Sequence, residues 1–215
     1  MKIGILGSGD VGKALANGFI KHGYEVMIGT RSAEKLAQWK TQAGARGRVG
    51  SFVETAAFGD LLVLAVKGLT AKETLQMAGP HNLRGKTLID ATNPIAEAPP
   101  EKGVLKFFTT LDDSLMEQLQ AAFPEANLVK AFSCIGNAFM VNPDFGGIKP
   151  SMFICGNNAN AKQETSKILD QFGFEVEDMG AAEAARAIEP LCILWCLPGF
   201  TRNQWTHAFK LLKIA

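Results

Sequence analysis

The chain has 215 residues, 47% of them hydrophobic and 20% charged, an ordinary globular composition that excludes a disordered, collagen-like or coiled-coil chain. This length predicts one to two domains with a core large enough to need no disulfide or metal staple. Lys and Arg number 22 against 21 Asp and Glu, so the net charge is +1, too small for a general nucleic-acid binder or a polybasic membrane binder, and any anion site must be local.

Residues 2–6 form a short apolar run ending before a glycine, the pattern of a buried parallel strand. From Val11 the period becomes helical, with Val11, Ala14, Leu15, Gly18, Phe19 and His22 on one face and Gly23 as the stop. Residues 24–28 read as a second strand, and Ser32 as the N-cap of a helix through Ala43. Residues 49–52 read as a short strand and 61–66 as the clearest buried strand; a helix carrying Leu69, Leu75 and Met77 follows, then a strand at 86–90. Residues 91–110, with Pro94, Pro99 and Pro100, show no period and predict a long functional or mobile loop, closed by Phe107 and Phe108. A helix over 112–123 and a strand over 127–132 come next, and strand 152–155, helix 159–172 and strand 174–177 add a further β-α-β unit. The tail, 181–215, is helical in character, with Pro190 predicting a break near Ile188 or Glu189.

Strands alternating with helices predict an α/β fold: a Rossmann-type doubly wound, mostly parallel sheet over residues 1–180, with residues 181–215 as a small C-terminal helical lobe or a subunit contact, which leaves a homodimer open. The chain begins directly with a strand pattern and shows no signal peptide, and its longest uncharged apolar run, 191–200, is about half of the ~20 residues a membrane span needs, so a cytoplasmic protein is expected.

The first turn carries the chemistry. Gly7, Ser8, Gly9, Asp10, Val11 and Gly12 follow a predicted strand and open a predicted helix, the context in which G-x-G-x-x-G marks a dinucleotide site. Gly7 permits the tight turn, Gly9 lets a pyrophosphate approach the backbone, and Gly12 brings the helix close to the strand, so the helix's free amides and positive end face the phosphates. The end of the second strand selects the nucleotide. An NAD site places Asp or Glu there for the ribose 2′-hydroxyl. Here Thr30 offers a hydroxyl, Arg31 a planar fork of donors, and Lys35 a second cation one turn on, a set that suits a 2′-phosphate. The expected cofactor is NADP(H).

Other candidates carry less. Cys134, Cys155, Cys192 and Cys196 have neither disulfide-framework nor zinc spacing and read as reduced thiols. Cys192 and Cys196 share an apolar helix face, and Cys134 reads as packing. Arg186 reads as an exposed salt bridge, and no metal site is expected.

With these residues in place, the chain resembles the NADPH-dependent reductases of coenzyme F420, a deazaflavin, and is similar to the cytosolic domain of the six-transmembrane metalloreductases, which pass hydride from NADPH to flavin. The resemblance rests on the Thr30-Arg31 turn with Lys35, on Val129-Lys130-Ala131-Phe132, on residues 152–157, and on Met179-Gly180 followed by Ala184, Ala185, Arg186, Ile188 and Glu189. It implies that Val66 and Lys67 lie along the ribose and pyrophosphate, that Asn93 and Pro94 lie near the nicotinamide ribose, and that a substrate-side segment including Ser133, Ile135, Gly136 and Asn137 holds the carboxamide and the face of a second ring. All are C-terminal ends of predicted strands, where open α/β sheets bind ligands. The family often has Asn-Thr or His after Lys-Ala-Phe, whereas Ser133 and Cys134 stand here.

The resemblance implies hydride transfer between NADP(H) and a deazaflavin or flavin co-substrate, a reaction in which the cofactors carry the reactivity and the protein orients them, so no catalytic acid, base or metal is assigned. Two alternatives stay open: reduction of a small metabolite or ferric chelate, and a non-catalytic NADPH sensor. Neither nucleic acid nor membrane is an expected partner.

Overall fold

A computed structural model describes residues 1–214. In chain order it contains β1 (Lys2–Leu6), α1 (Asp10–Lys21), β2 (Glu25–Gly29), α2 (Ala37–Ala43), β3 (Gly47–Gly50), α3 (Phe52–Phe58), β4 (Leu61–Leu64), α4 (Ala71–Ala78), α5 (Pro80–Leu83), β5 (Thr87–Asp90), α6 (Leu115–Ala122), β6 (Asn127–Lys130), β7 (Ser151–Ile154), α7 (Ala159–Gln171), β8 (Glu175–Asp178), α8 (Ala185–Ile188) and α9 (Leu191–Arg202).

The first six strands form one sheet in the order β3-β2-β1-β4-β5-β6, every pairing parallel. This is the doubly wound Rossmann order, with the chain reversing direction across the sheet between β1 and β4. In register, Ile5 lies beside Ile28 and Val63, and Val63 beside Ile89. These residues are fully buried because helices cover both faces, which is why β4 is an unbroken apolar run rather than an alternating one. One core cluster packs Leu15, Phe19, Ile28 and Phe172 on the α1/α7 side; the other packs Leu62, Leu75, Leu88 and Leu119 on the α3/α4/α6 side. β7 and β8 form a separate parallel pair, joined to β6 where the Lys130 N–H donates to the Cys155 carbonyl at 3.0 Å.

The strands expected over 61–66 and 127–132 end at Leu64 and Lys130, the helix expected from 112 starts at Leu115, and three further segments differ in kind. The pattern over residues 49–52 predicts a strand, but β3 ends at Gly50 and Phe52 opens α3. A reciprocal capping box decides this: the Glu54 N–H donates to Ser51 Oγ at 3.2 Å, and the Ser51 N–H donates to the Glu54 carboxylate at 2.7 Å. The expected loop over 91–110 contains an ordered hairpin. The Ala96 N–H donates to the Lys106 carbonyl at 2.8 Å and the Phe108 N–H to the Pro94 carbonyl at 2.9 Å; at the tip, Lys102 and Gly103 both have positive φ, 51° and 85°, as a tight two-residue hairpin turn requires. The helical tail ends early. The chain breaks as Pro190 predicted, between α8 and α9, but α9 stops at Arg202 and Asn203 turns left-handed at φ 52°. Beyond it the backbone follows β7 instead, with the Ser151 N–H donating to the Phe209 carbonyl at 2.9 Å and the Leu211 N–H to Ser151 Oγ at 3.0 Å. The Phe209 carbonyl and the Leu211 N–H therefore find their partners on Ser151 of β7 rather than in a helix. Ala215, the last residue of the expected helical tail, lies outside the described residues. Among the described residues no helix is long and apolar enough to cross a membrane.

Candidate dinucleotide-binding groove

The groove opens at the C-terminal end of β1, beside the sheet's switch point. Gly7 adopts φ 136°, and a Cβ there would stand 2.1 Å from the Ala65 carbonyl oxygen. A Cβ on Gly12 would stand 2.1 Å from the Gly7 carbonyl oxygen, so α1 can sit against the turn only with glycine at this place. Gly9 differs from both: a Cβ there meets nothing within 4 Å. Its requirement comes from whatever fills the groove rather than from the fold. Gly9 is also the N-cap of α1 and supplies no side-chain cap, which leaves first-turn amides of a 12-residue helix free to donate. An adenine dinucleotide's pyrophosphate fits this cradle: no side chain fills it, and the donors are those an anion uses.

At the end of β2, Thr30 is fixed by its neighbours. Its N–H donates to the Gly50 carbonyl at 3.0 Å, its hydroxyl shares a 3.1 Å hydrogen bond with Ser8 Oγ, and Thr30 Oγ1 accepts from the Ser32 N–H at 3.1 Å. Ser32, expected to cap a helix through its side chain, makes no such bond; it precedes a 3-10 turn, Ala33–Leu36, that leads into α2. Arg31 is exposed, and neither it nor Lys35 is in an ion pair among the described residues. Two cations near a helix start oppose the helix dipole, a cost that a bound 2′-phosphate removes.

Gly7, Ser8, Gly9, Asp10, Val11, Thr30, Arg31, Lys35, Val66 and Lys67 all line a single groove of about 700 Å³, with Gly12 packed beneath its floor. Phe52 and Glu97 line it as well. Sequence reasoning missed both, because Phe52 arrives on the unexpected α3 and Glu97 on the hairpin arm. The groove continues into a smaller, more apolar recess of about 380 Å³ that shares Val66, Lys67, Ala91 and Glu97 and adds Leu69, Asn93, Ile95 and Ala96. Pro94 is buried beside it and anchors the base of the hairpin through its carbonyl.

The expected substrate-side segment is placed differently. Ser133 and Ile135 are buried, and Gly136 lies under α9, where a Cβ would stand 2.7 Å from the Trp195 ring. Asn137 lines a separate depression of about 320 Å³ with Asn17 and Lys21 on the flank of α1. None of the four lines the groove or its recess. Ser133 connects to the recess only through its carbonyl, which accepts from Asn93 Nδ2 at 3.0 Å.

The remaining candidates resolve as packing or ion pairs. All four cysteines are free thiols; burial pushes the Cys134 and Cys155 thiols up to about 12, so neither is an activated nucleophile. Arg186 grips Glu117 with two nitrogens at 2.6 to 3.1 Å, and this guanidinium is the main reason the Glu117 carboxyl is lowered to about 2. His207 Nε2 donates to the Trp195 carbonyl while Trp195 Nε1 donates to the His207 carbonyl, each at 2.9 Å, a reciprocal clamp that holds the tail on α9.

Comparison with known proteins agrees with the groove. Residues 2–94 match the family model of coenzyme F420-dependent NADP oxidoreductases. The F420-dependent NADP reductase of Methanothermobacter marburgensis is 29% identical over 203 residues, 89% of this chain and 89% of that protein. Metalloreductase STEAP3 of Rattus norvegicus is 31% identical over 202 residues; the match takes 92% of this chain, but the chain spans only 38% of the metalloreductase's length. The crystal structure of a protein from Arthrobacter sp. FB24 assigned to the F420-dependent NADP reductases superposes with a TM-score of 0.91 at 34% identity, covering 99% of this chain and 100% of that one. The chain belongs to the family of coenzyme F420-dependent NADP oxidoreductases.

Proposed function

We propose that this protein transfers hydride between NADP(H) and a planar redox ring, the deazaflavin F420 or a flavin, taken as a small-molecule co-substrate. The observation that carries the reading is the continuity of one groove from the acid-free, cationic end of β2, past the uncapped start of α1, to the apolar recess under the hairpin. Amides of the first turn of α1 hold the pyrophosphate. Thr30, Arg31 and Lys35 hold the 2′-phosphate. Val66 and Lys67 flank the middle of the groove, and Leu69, Ile95 and Ala96 offer an apolar surface to a flat ring. The first arm of the hairpin, residues 95–98, forms one wall of the recess. Bound NADP(H) supplies the hydride chemistry, and orientation by the protein lowers the barrier.

The test mixes the full chain with NADPH and, in separate runs, F420, FMN, FAD and a ferric chelate, and follows the nicotinamide absorbance. Turnover with F420 or one flavin is the expected result. Turnover only with the ferric chelate, or NADPH binding without turnover on any acceptor, overturns the ring-acceptor reading; the second outcome leaves a reductase of a small metabolite or a sensor.

A further inference from the structure

β6 ends on Lys130, whose side chain is fully buried. Its ammonium pairs with Asp90 Oδ2 at 2.6 Å and Glu189 Oε1 at 2.9 Å and donates a hydrogen bond to the Thr92 carbonyl at 3.0 Å. Asp90 Oδ1 in turn accepts from the Thr92 N–H at 2.9 Å and the Thr92 hydroxyl at 2.6 Å. Glu189, in the link between α8 and α9, accepts from the Leu115 and Met116 N–H groups at 3.0 Å each, the first amides of α6. Asp90, Thr92 and Glu189 are at most 1% exposed.

Two carboxylates and one ammonium are costly to bury, and apolar residues of similar volume commonly hold a core as well. What charged groups add is specificity of partner, because two ion pairs and five hydrogen bonds tie the set to named backbone and side-chain groups. Burial pulls the Lys130 ammonium down and the Asp90 and Glu189 carboxylates more than offset it, so the raised group stays charged. The set acts on two chain segments. Thr92, held at its N–H, hydroxyl and carbonyl, precedes Asn93, which lines the recess and bonds the Ser133 carbonyl. Two residues beyond Lys130, Phe132 has φ 62°, a left-handed conformation that a bulky L-residue keeps only where its surroundings hold it. Both the exit from β5 and the exit from β6 therefore hang on one buried ammonium, and Glu189 ties them to the start of α6 and to the C-terminal helices.

We infer that Lys130, Asp90 and Glu189 are positioning residues that fix the Thr92–Asn93 and Phe132–Ser133 backbone so that the recess end of the groove is preformed. The statement that this end receives the nicotinamide rests on the proposed function; the statement that the network holds the two segments does not.

The experiment uses the full chain with Glu189→Gln, which keeps the side-chain shape, and Lys130→Met, the harsher change. Hydrogen exchange reads the backbone directly. Glu189→Gln should speed exchange at the Thr92, Asn93 and Ser133 amides by about tenfold or more, with β1 and β2 unchanged. Calorimetry with 2′,5′-ADP, which reaches only the adenine half of the groove, should give affinity within about twofold of wild type, while NADPH weakens by about tenfold. Rates unchanged at Thr92, Asn93 and Ser133, or raised equally throughout the sheet, overturn the inference, as does an equal loss for both ligands. If wild type binds neither nucleotide, the reading of the groove fails, and the exchange data still decide whether the network holds these segments. Should Lys130→Met not fold, Glu189→Gln decides alone.

Discussion

Replacing Gly9 with alanine separates binding from folding. The backbone there is extended, φ −75° and ψ −173°, which alanine adopts freely, and the added methyl meets nothing within 4 Å. Gly→Ala at a compatible site gains about 0.4–1 kcal/mol by restricting the unfolded chain. Alanine is a poorer N-cap than glycine by a comparable fraction of a kcal/mol, roughly cancelling that gain. The melting temperature should therefore move by no more than about 2–4 °C. Binding should behave differently, because the methyl projects into the groove where a pyrophosphate approaches the α1 amides. Hydrogen bonds to charged groups contribute about 1.5–3 kcal/mol each, and losing one or two weakens NADPH by roughly 100-fold. Gly12→Ala is the contrast: its methyl would stand 2.1 Å from the Gly7 carbonyl oxygen, so α1 must shift and stability itself falls, by about 1–3 kcal/mol. Thermal unfolding and calorimetry with NADPH measure both quantities on the same samples. Should Gly9→Ala melt like wild type and also bind NADPH like wild type, the phosphates do not lie on this turn and the reasoning fails.

Arg31→Ala should weaken NADPH by about 10- to 30-fold, the loss of one partly screened charged hydrogen bond, and NADH by less than about twofold; equal losses would remove Arg31 from the 2′-phosphate site. The Glu117 carboxyl, lowered from 4.5 to about 2 chiefly by Arg186, makes stability depend on acid. As pH falls through that window the unfolded chain takes up the proton first, so the contribution present above pH 4.5 is lost toward pH 2. Glu117→Gln should flatten the melting temperature against pH across that range, and an unchanged slope would count against the pair. In a thiol titration with a bulky aromatic disulfide at pH 8, one thiol per native chain should react, Cys196, because Cys134, Cys155 and Cys192 are buried; reaction of all four without denaturant would contradict that burial.

The alternation of strands and helices was legible because fully buried parallel strands are unbroken apolar runs, as at Leu61–Leu64, while α1 and α7 carry a helical period. The glycine turn was legible because its signature is local: Gly7, Gly9 and Gly12 lie within six residues, and Thr30, Arg31 and Lys35 sit in one short segment, although the Gly7 constraint comes from the Ala65 carbonyl on a distant strand end. Elsewhere local pattern was not enough. The hairpin after β5 has no period because its two arms satisfy each other across the tip at Lys102 and Gly103. The end of the tail reads as helix, yet Ser151 at the start of β7 takes up the Phe209 carbonyl and the Leu211 N–H instead.

Ser133, Ile135, Gly136 and Asn137 are close in sequence but lie apart in space, the first three buried or under α9 and Asn137 along α1. Lys130 is the sharpest case. In sequence it is a lysine at the end of a strand, and only the packing of β5, α6 and the α8–α9 link around it makes it the buried centre of a charged network. Backbone geometry and a cluster of adjacent charges can be written in a few consecutive residues. Burial, and what a buried charge pairs with, depends on partners far along the chain, and the tertiary structure alone decides them.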